Sequence, residues 1–465
     1  MDFIRSSRGK DRLVHDGYIY VKQKDLANGV VSFECEERRN KAVCKAKLKV
    51  HIERNEVVGR LHNHTHAPSK AKIEAARTIQ RVNMRAIDTE ETPQQILSEA
   101  CGTIDEETGA NLPPIRHLRR NIRRHRQRLS RSRPLPLNTQ ELVLTDEHTK
   151  TKDGQDFLLF DSGPVEKRIL IFGTQKNLEN LCQASHWSLD GTFKTVPRIF
   201  LQLYTIHALV NDRSVPLIYA LLPDKSQTTY SNLLEQLKSL KHDLAPKTIM
   251  IDFEKAMINS LQLAFPQTEI KGCYFHFCQS IYRKIQSNGF NQRYLEDKEF
   301  SIAMKMIAAL ALVPACDVEK SFESLCAFLP PETYPLQDYF EDTYLGRPCR
   351  RGRRREPLFG IELWNMYNRT ADELPRTNNA VEGWHRSFLA NVGCCHPNIW
   401  KFLTYIKREQ ALQQIHMVQS SAGFSIQSSR KKYLDVSARI ISVTRNYENR
   451  DVVEYLRSIA YNLSF

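Results

Sequence analysis

The chain has 465 residues, 41% of them hydrophobic, which is ample for two to four domains with real cores and excludes a disordered polymer. Its formal charge of +14 is concentrated: nine arginines and no acid lie between Arg116 and Arg133, six arginines and no acid between Arg347 and Arg355, and the rest is close to neutral. The longest apolar run, 306–313, stops at Pro314 and falls far short of the ~18 residues of a membrane span. The N-terminus opens on polar and charged sequence instead of a secretory leader, and eleven scattered cysteines, an odd number, do not make a disulfide framework. The expectation is a soluble intracellular protein with reduced thiols, no membrane partner and two polyanion-binding patches. The other reading of each basic run is a solvated charge run or a nuclear-import signal, and a nuclear location is expected.

In chain order, 12–67 is a set of short alternating segments: Tyr18-Ile19-Tyr20-Val21, Val30 to Cys35, Cys44 to Val50, and Val57 to Leu61, closed by His62-Asn63-His64-Thr65-His66. A unit this small, with mostly polar strands, cannot bury enough apolar surface without a staple. Cys35, Cys44, His62 and His64 offer two thiolates and two imidazoles, a donor set suited to tetrahedral Zn²⁺. Free cysteines beside a surface histidine run are the bland alternative. Leu13-Val14, the paired Tyr18 and Tyr20, Phe33-Glu34-Cys35, Cys44-Lys45-Ala46 and His62-Asn63-His64 together resemble the FLYWCH-type zinc finger, with Phe33 where that family usually has Trp. The spacing leaves open whether His64 or His66 completes the site, and the family pattern favours His64.

Residues 68–135 read as a basic helical region, with helices over 69–87, 92–100 (Thr92 as N-cap, Pro93 at the first position) and 114–129. The last carries Arg116, Arg119, Arg120, Arg123 and Arg124, expected to contact DNA phosphates. A plain linker bundle is the alternative. Arg133-Pro134-Leu135-Pro136 marks a boundary.

From about residue 155 the periodicity is strand-like: a hairpin (157–160 and 168–173), a short helix over 177–184, then strands over 187–193, 200–210 and 215–222. Alternating helix and strand follow, over 227–242, 248–251, 253–265 and 269–274, then a further helix. Three successive strands followed by alternation is the order of a ribonuclease-H-like α/β core, here 155–290. An all-α insertion, 291–375, interrupts it, and 376–465 brings helices over 398–417, 431–445 and 452–462. No internal repeat is visible.

Three acids stand at the joints of this pattern: Asp190 at the end of an apolar segment, Asp252 between a buried-type strand and a helix, and Glu382 early in a later helix. Each has an ordinary explanation, respectively a turn, a helix cap and a capping box. Together, converging carboxylates can hold two hard cations ~3.5–4 Å apart for in-line displacement at phosphorus. Glu254, two residues past Asp252, is expected to be dispensable.

Asp190-Gly191-Thr192-Phe193-Lys194, Ile251-Asp252-Phe253-Glu254-Lys255-Ala256, Cys273-Tyr274-Phe275-His276 and Arg376-Thr377-Asn378-Asn379-Ala380-Val381-Glu382-Gly383-Trp384-His385 resemble the Mutator-like element (MULE) family of DDE transposases over about 155–415. The resemblance implies a ribonuclease-H-like fold, Mg²⁺ or Mn²⁺, DNA cleavage and strand transfer, and Asp190, Asp252 and Glu382 as the metal-binding triad. It makes Cys273 and His276 a family motif, read as structural or site-shaping. Trp384 is read as a packed indole, with base stacking as the alternative. No cysteine follows Cys395, so the Cys/His-rich module found after the core in many plant members is not expected here, and recognition of element ends is expected to fall to the N-terminal modules. The expected partners are double-stranded DNA, as element ends and target, and further copies of the chain. A domesticated DNA-binding regulator is the rival reading, and a helical interaction scaffold the third.

Overall fold

The computed structural model describes residues 2–5, 11–39, 43–89, 91–130, 134–211, 213–349, 354–424 and 431–464. Arg131, Arg133 and the centre of the second arginine cluster, Arg350, Arg351 and Arg353, lie outside them. The chain forms two compact units, Met1–Pro134 and Leu135–Phe465.

The first unit begins with a six-stranded antiparallel meander: β1 (Asp2–Arg5), β2 (Asp11–His15), β3 (Tyr18–Asp25), β4 (Val30–Cys35), β5 (Lys47–His51) and β6 (Glu56–Leu61). Each strand pairs with the next in sequence. Asp16 and Gly17, at φ 47 and 80, form the two-residue left-handed turn that matches strand twist. The core is small, built around Leu13, Tyr20, Phe33, Cys35, Cys44 and Leu48. Strand β1 precedes the expected start of the unit at residue 12: its Ile4 is buried with Ile19, Ile73 and Ala76, a contact invisible in a four-residue stretch.

Helices α1 (Lys70–Asp88), α2 (Pro93–Cys101), α3 (Glu106–Ala110) and α4 (Ile115–Ser130) complete the unit. Thr92 and Gln95 form the capping box of α2, with Pro93 in its first turn. Val82, Ala86, Ile96, Leu97, Leu118 and Ile122 fasten α1, α2 and α4 together.

The second unit holds α5 (Asp146–Thr149), β7 (Leu158–Asp161), β8 (Leu170–Phe172), α6 (Gln175–Gln183), β9 (His186–Thr192), β10 (Gln202–Val210), β11 (Arg213–Leu222) and α7 (Gln227–Leu240). It continues through β12 (Thr248–Ile251), α8 (Lys255–Ala264), β13 (Glu269–Gly272) and α9 (Tyr274–Ser287). The seven strands make one mixed sheet in the order β13-β12-β9-β10-β11-β8-β7. Strands β9, β12 and β13 run parallel, and the pairs from β9 to β7 are antiparallel. The central strands are apolar on both faces, as a doubly covered sheet requires. In β11, Ile218, Ala220 and Leu222 enter the core under α6, α7 and α8, while Tyr219 and Leu221 enter the opposite core.

That opposite core is closed by α16 (Asn379–Val392) and α17 (Ile399–Ser421), through Phe388, Val392, Phe402 and Ile406. Between α9 and α16 lie α10 (Asn291–Glu296), α11 (Lys298–Ala309), α12 (Val318–Phe328), α13 (Tyr334–Phe340), α14 (Ile361–Trp364) and α15 (Tyr367–Ala371). The chain ends with α18 (Lys431–Arg445) and α19 (Val452–Ala460). These last two pack into the core of the interrupting helices, where Tyr455, Leu456 and Ile459 join Phe277, Met304, Leu312, Phe340 and Trp364. Among the described residues no helix is long and apolar enough to cross a membrane.

Candidate metal centres

The three acids leave their ordinary roles. Asp190 and Gly191 lie inside β9 instead of in a turn. Asp252 does not cap α8, whose N-cap position is Glu254, and Glu382 makes no capping box, because the N-cap of α16 is Asn378 without a side-chain cap bond.

Register brings the first two acids together. Strand β12 runs parallel to β9 with Met250 opposite Ser188, so Asp252, two residues on, emerges beside Asp190 at the same end of the sheet. A Cβ on Gly191 would stand 2.7 Å from Gln202 Oε1 and 3.1 Å from the Tyr204 ring, so a larger residue there would have to shift these side chains.

Glu382 arrives on α16, and the start of that helix is tied to both strand ends. Asn378 Nδ2 donates to Leu189 O at 3.1 Å, its backbone N–H donates to Cys273 Sγ at 3.2 Å, and Tyr274 N–H donates to Arg376 O at 3.0 Å. Cys273 thus anchors the returning chain, while His276, one turn into α9, reaches the acids. Its Nδ1 is 2.7 Å from Asp252 Oδ1 and its Nε2 is 3.6 Å from Glu382 Oε1.

Electrostatically the group is short of positive charge. Burial, then the charges of Asp252 and Glu382, push the Asp190 carboxyl up to about 7. His276 is pushed up to about 10, chiefly by its contact with Asp252 and then by Cys273, so it is a cation among the carboxylates. Even so, Asp252 Oδ1, His276 Nδ1 and Glu382 Oε1 are buried without a well-formed hydrogen bond, Asp252 and His276 meeting as an ion pair at 2.7 Å. Orphaned buried oxygens in a ring of mutually repelling acids fit a divalent cation.

Two neighbours complete the cluster. His385, one turn after Glu382, has Nε2 3.3 Å from Asp190 Oδ2. Burial holds its pKa down to about 4, so the imidazole is neutral. Glu254 lines the same cavity of about 70 Å³ as Asp190 and Asp252, together with Phe193 and Lys225, and accepts a hydrogen bond from Tyr230 OH at 3.0 Å.

The second cluster is in the meander, where ligand atoms of Cys35, Cys44, His64 and His66 all lie within 4.8 Å of one another. His64 Nδ1 faces Cys44 Sγ at 3.4 Å, and its Nε2 is held by Tyr20 OH at 2.7 Å. His66 Nε2 faces Cys35 Sγ at 3.2 Å, with Nδ1 at 3.1 Å from Ala67 O. Each imidazole therefore turns one nitrogen inward and has the other oriented from outside, the arrangement of metal-binding histidines. Tyr18 stacks on His64 with ring centroids 3.5 Å apart. Burial pushes the Cys35 thiol up to about 11, whereas backbone N–H groups of Ala46 and Thr65 overcome burial at Cys44 and hold it below the ordinary thiol value.

Residues 186–280 match the MULE transposase domain, and residues 3–66 match the FLYWCH zinc finger domain. The chain carries both domains. A search of curated proteins found no match. The MULE match contains Asp190, Asp252, Cys273 and His276 and ends before Glu382.

Within the FLYWCH domain one expected ligand changes: His66 joins the group and His62 does not. In an extended chain 62, 64 and 66 share a side, but His62 has φ 59, and this left-handed backbone turns its exposed side chain out of step. Trp384 is a packed indole: it donates to Glu409 Oε1 at 2.7 Å and stacks on Phe388.

The basic patches also divide. Arg116, Arg119, Arg120, Arg123 and Arg124 are exposed on α4, with Arg119 bonded to Gln94. Arg126 instead caps the end of α1, donating to Ala86 O at 2.9 Å and Thr89 O at 2.8 Å. In the second cluster Arg354 is spent on Glu319, Glu323 and Glu341, and Arg347 on Asp342. Among the described arginines of that cluster, Arg347 and Arg354 are thus engaged within the chain and Arg355 is exposed.

Proposed function

We propose that this chain is a metal-dependent DNA transposase of the Mutator-like class, in which Asp190, Asp252 and Glu382 hold Mg²⁺ or Mn²⁺ and the FLYWCH finger, with Zn²⁺ on Cys35, Cys44, His64 and His66, and helix α4 engage DNA. The observation that carries it is the convergence of three acids from β9, β12 and α16 on a point where buried oxygens lack partners. The strand order supports a ribonuclease-H-like reading, since three antiparallel strands, β9 to β11, are followed by two strands parallel to the first, on its other side. Hard cations held by these acids would activate an attacking oxygen and stabilise the leaving one at phosphorus.

The chain's own residues prepare that event. His385 orients Asp190, Asn378 and Cys273 fix the depth of Glu382, and cationic His276 tempers the repulsion among the acids until cations replace it. The exposed guanidinium groups of Arg116, Arg120 and Arg123 would sit on phosphates. Element ends and target are then double-stranded DNA, several copies of the chain act together on it, and the protein works in the nucleus.

The test is Asp252→Asn beside Glu235→Gln, an exposed acid on α7 that does not line the cavity of Asp190 and Asp252. Asp252→Asn should bind element-end DNA as the parent does and lose Mg²⁺-dependent cleavage by roughly three orders of magnitude or more, a loss of about 4 kcal/mol or more in transition-state stabilisation. Glu235→Gln should cut normally. A folded parent that never cuts its own element ends with Mg²⁺ or Mn²⁺ would transfer the reading to a domesticated DNA-binding regulator.

A further inference from the structure

The acid cluster contains one donor that hard-cation chemistry does not call for. Ligand atoms of Asp252, Cys273 and His276 lie within 4.8 Å of one another, so a thiol and an imidazole share a corner with one of the three acids. Mg²⁺ and Mn²⁺ prefer oxygen, whereas a sulfur, nitrogen and oxygen set selects Zn²⁺ and its relatives. We propose that Asp252, Cys273 and His276 form a distinct site for one thiophilic divalent cation of the Zn²⁺ class, sharing Asp252 with the triad, so that filling this site and filling the triad with hard cations are mutually exclusive.

Four features equip the three residues for such an ion. Cys273 Sγ is buried and accepts the backbone N–H of Asn378 at 3.2 Å, a bond that a metal-bound thiolate keeps and that disperses its charge. Cys273 also stands at the N-cap of α9, the helix whose first turn carries His276. Asp252 Oδ1 and His276 Nδ1 are 2.7 Å apart and both lack a hydrogen bond. Two ligands of one tetrahedral ion at ~2.0–2.1 Å stand roughly 3.3 Å apart, so the ion enters with a small spreading of this pair. Finally, His276 Nε2 faces Glu382 Oε1 at 3.6 Å, which places a carboxylate behind the imidazole as in carboxylate–histidine–zinc arrangements. Three protein ligands leave a fourth position open.

The binding claim stands apart from the transposase reading, and only its consequence, inhibition of cleavage by Zn²⁺ in the presence of excess Mg²⁺, rests on that reading. Co²⁺ is the probe, titrated into the metal-free full chain and followed by thiolate-to-metal charge-transfer absorbance and by equivalents bound. The parent should bind two equivalents with thiolate signals, one in the FLYWCH finger and one here. Cys273→Ser keeps an acceptor for Asn378 N–H, and it should lose one equivalent with its share of the absorbance. His276→Asn, a second variant should the first fail to fold, should lose the same equivalent. In cleavage assays, Zn²⁺ beyond the first equivalent should inhibit the parent, and Cys273→Ser should need at least tenfold more for the same fractional inhibition of its own rate. A parent that binds one thiolate-signalling equivalent, or a second one retained by both variants, overturns the site. A Cys273-dependent second equivalent in a parent that never cuts DNA upholds the site and sinks the functional reading instead.

Discussion

The two metal-ligand clusters of this chain sit in opposite kinds of scaffold. In the FLYWCH finger the four donors are a large part of the interior: Cys35 and Cys44 belong to the same small core as Leu13, Phe33 and Leu48. In the second unit Asp190 and Asp252 stand at the ends of strands in a sheet covered on both faces by extensive apolar cores, Glu382 is carried to them on α16, and the start of that helix is bonded in place by Asn378 and Cys273. The same element of design, a convergence of ligand side chains, therefore does different work. In the finger an ion would complete the fold, and in the core the fold stands first and an ion would arrive at a prepared, electrostatically uncomfortable site.

Chelation should separate the two most sharply. Structural zinc contributes on the order of 10 kcal/mol to small finger domains, so stripping the full chain should abolish amide-exchange protection over 12–66 and leave protection in β9 to β12 unchanged. Persistence of the meander's protection without metal would make its apolar core sufficient and break the contrast.

A smaller effect is expected from the exposed arginine face of α4. Replacing Arg116, Arg120 and Arg123 with Ala should reduce the slope of log affinity against log salt by roughly 2 to 3 while leaving sequence preference nearly unchanged. Arg126→Ala should act on the stability of the helical part instead, because its guanidinium serves the carbonyls at the end of α1. An unchanged slope in the triple variant would reduce the exposed face of α4 to a solvated charge run.

The smallest effect is a pH dependence confined to the core. Asp190 titrates near its ordinary 3.8 when unfolded and at about 7 when folded, so between these values the folded chain holds a proton that the unfolded chain has lost. Its contribution to stability is therefore present at low pH and declines as pH rises from about 4 to 7 in the metal-free protein. Thermal melts of the parent and Asp190→Asn should show the parent losing stability relative to the variant over that range, and Mg²⁺ or Mn²⁺ at pH 8 should stabilise the parent far more than the variant. Parallel pH profiles would mean that Asp190 is solvated and that the cluster is not strained.

Much of this was open to a reader of the sequence alone, because it depends on local rules. Alternation placed β3 to β6 and β9 to β12, the Thr92-Pro93 pair announced α2, and the three acids could be singled out because each closes an apolar segment or opens a helix. What it could not give is whatever depends on partners remote in the chain. Four-residue β1 is a strand only because Ile4 meets Ile73. His62 leaves the metal group because of one left-handed residue, a backbone state that no side-chain pattern announces. Arg126 and Arg354 become structural once the surfaces facing them are assembled. Cys273 and His276 read as a bare motif until the returning chain places Asn378 on the sulfur and Glu382 beside the imidazole. Residue type and spacing determined which side chains could do chemistry, and the parallel register of β9 and β12 with the anchoring of α16 decided which of them share one point in space, because convergence is a property of packing between segments far apart in the chain.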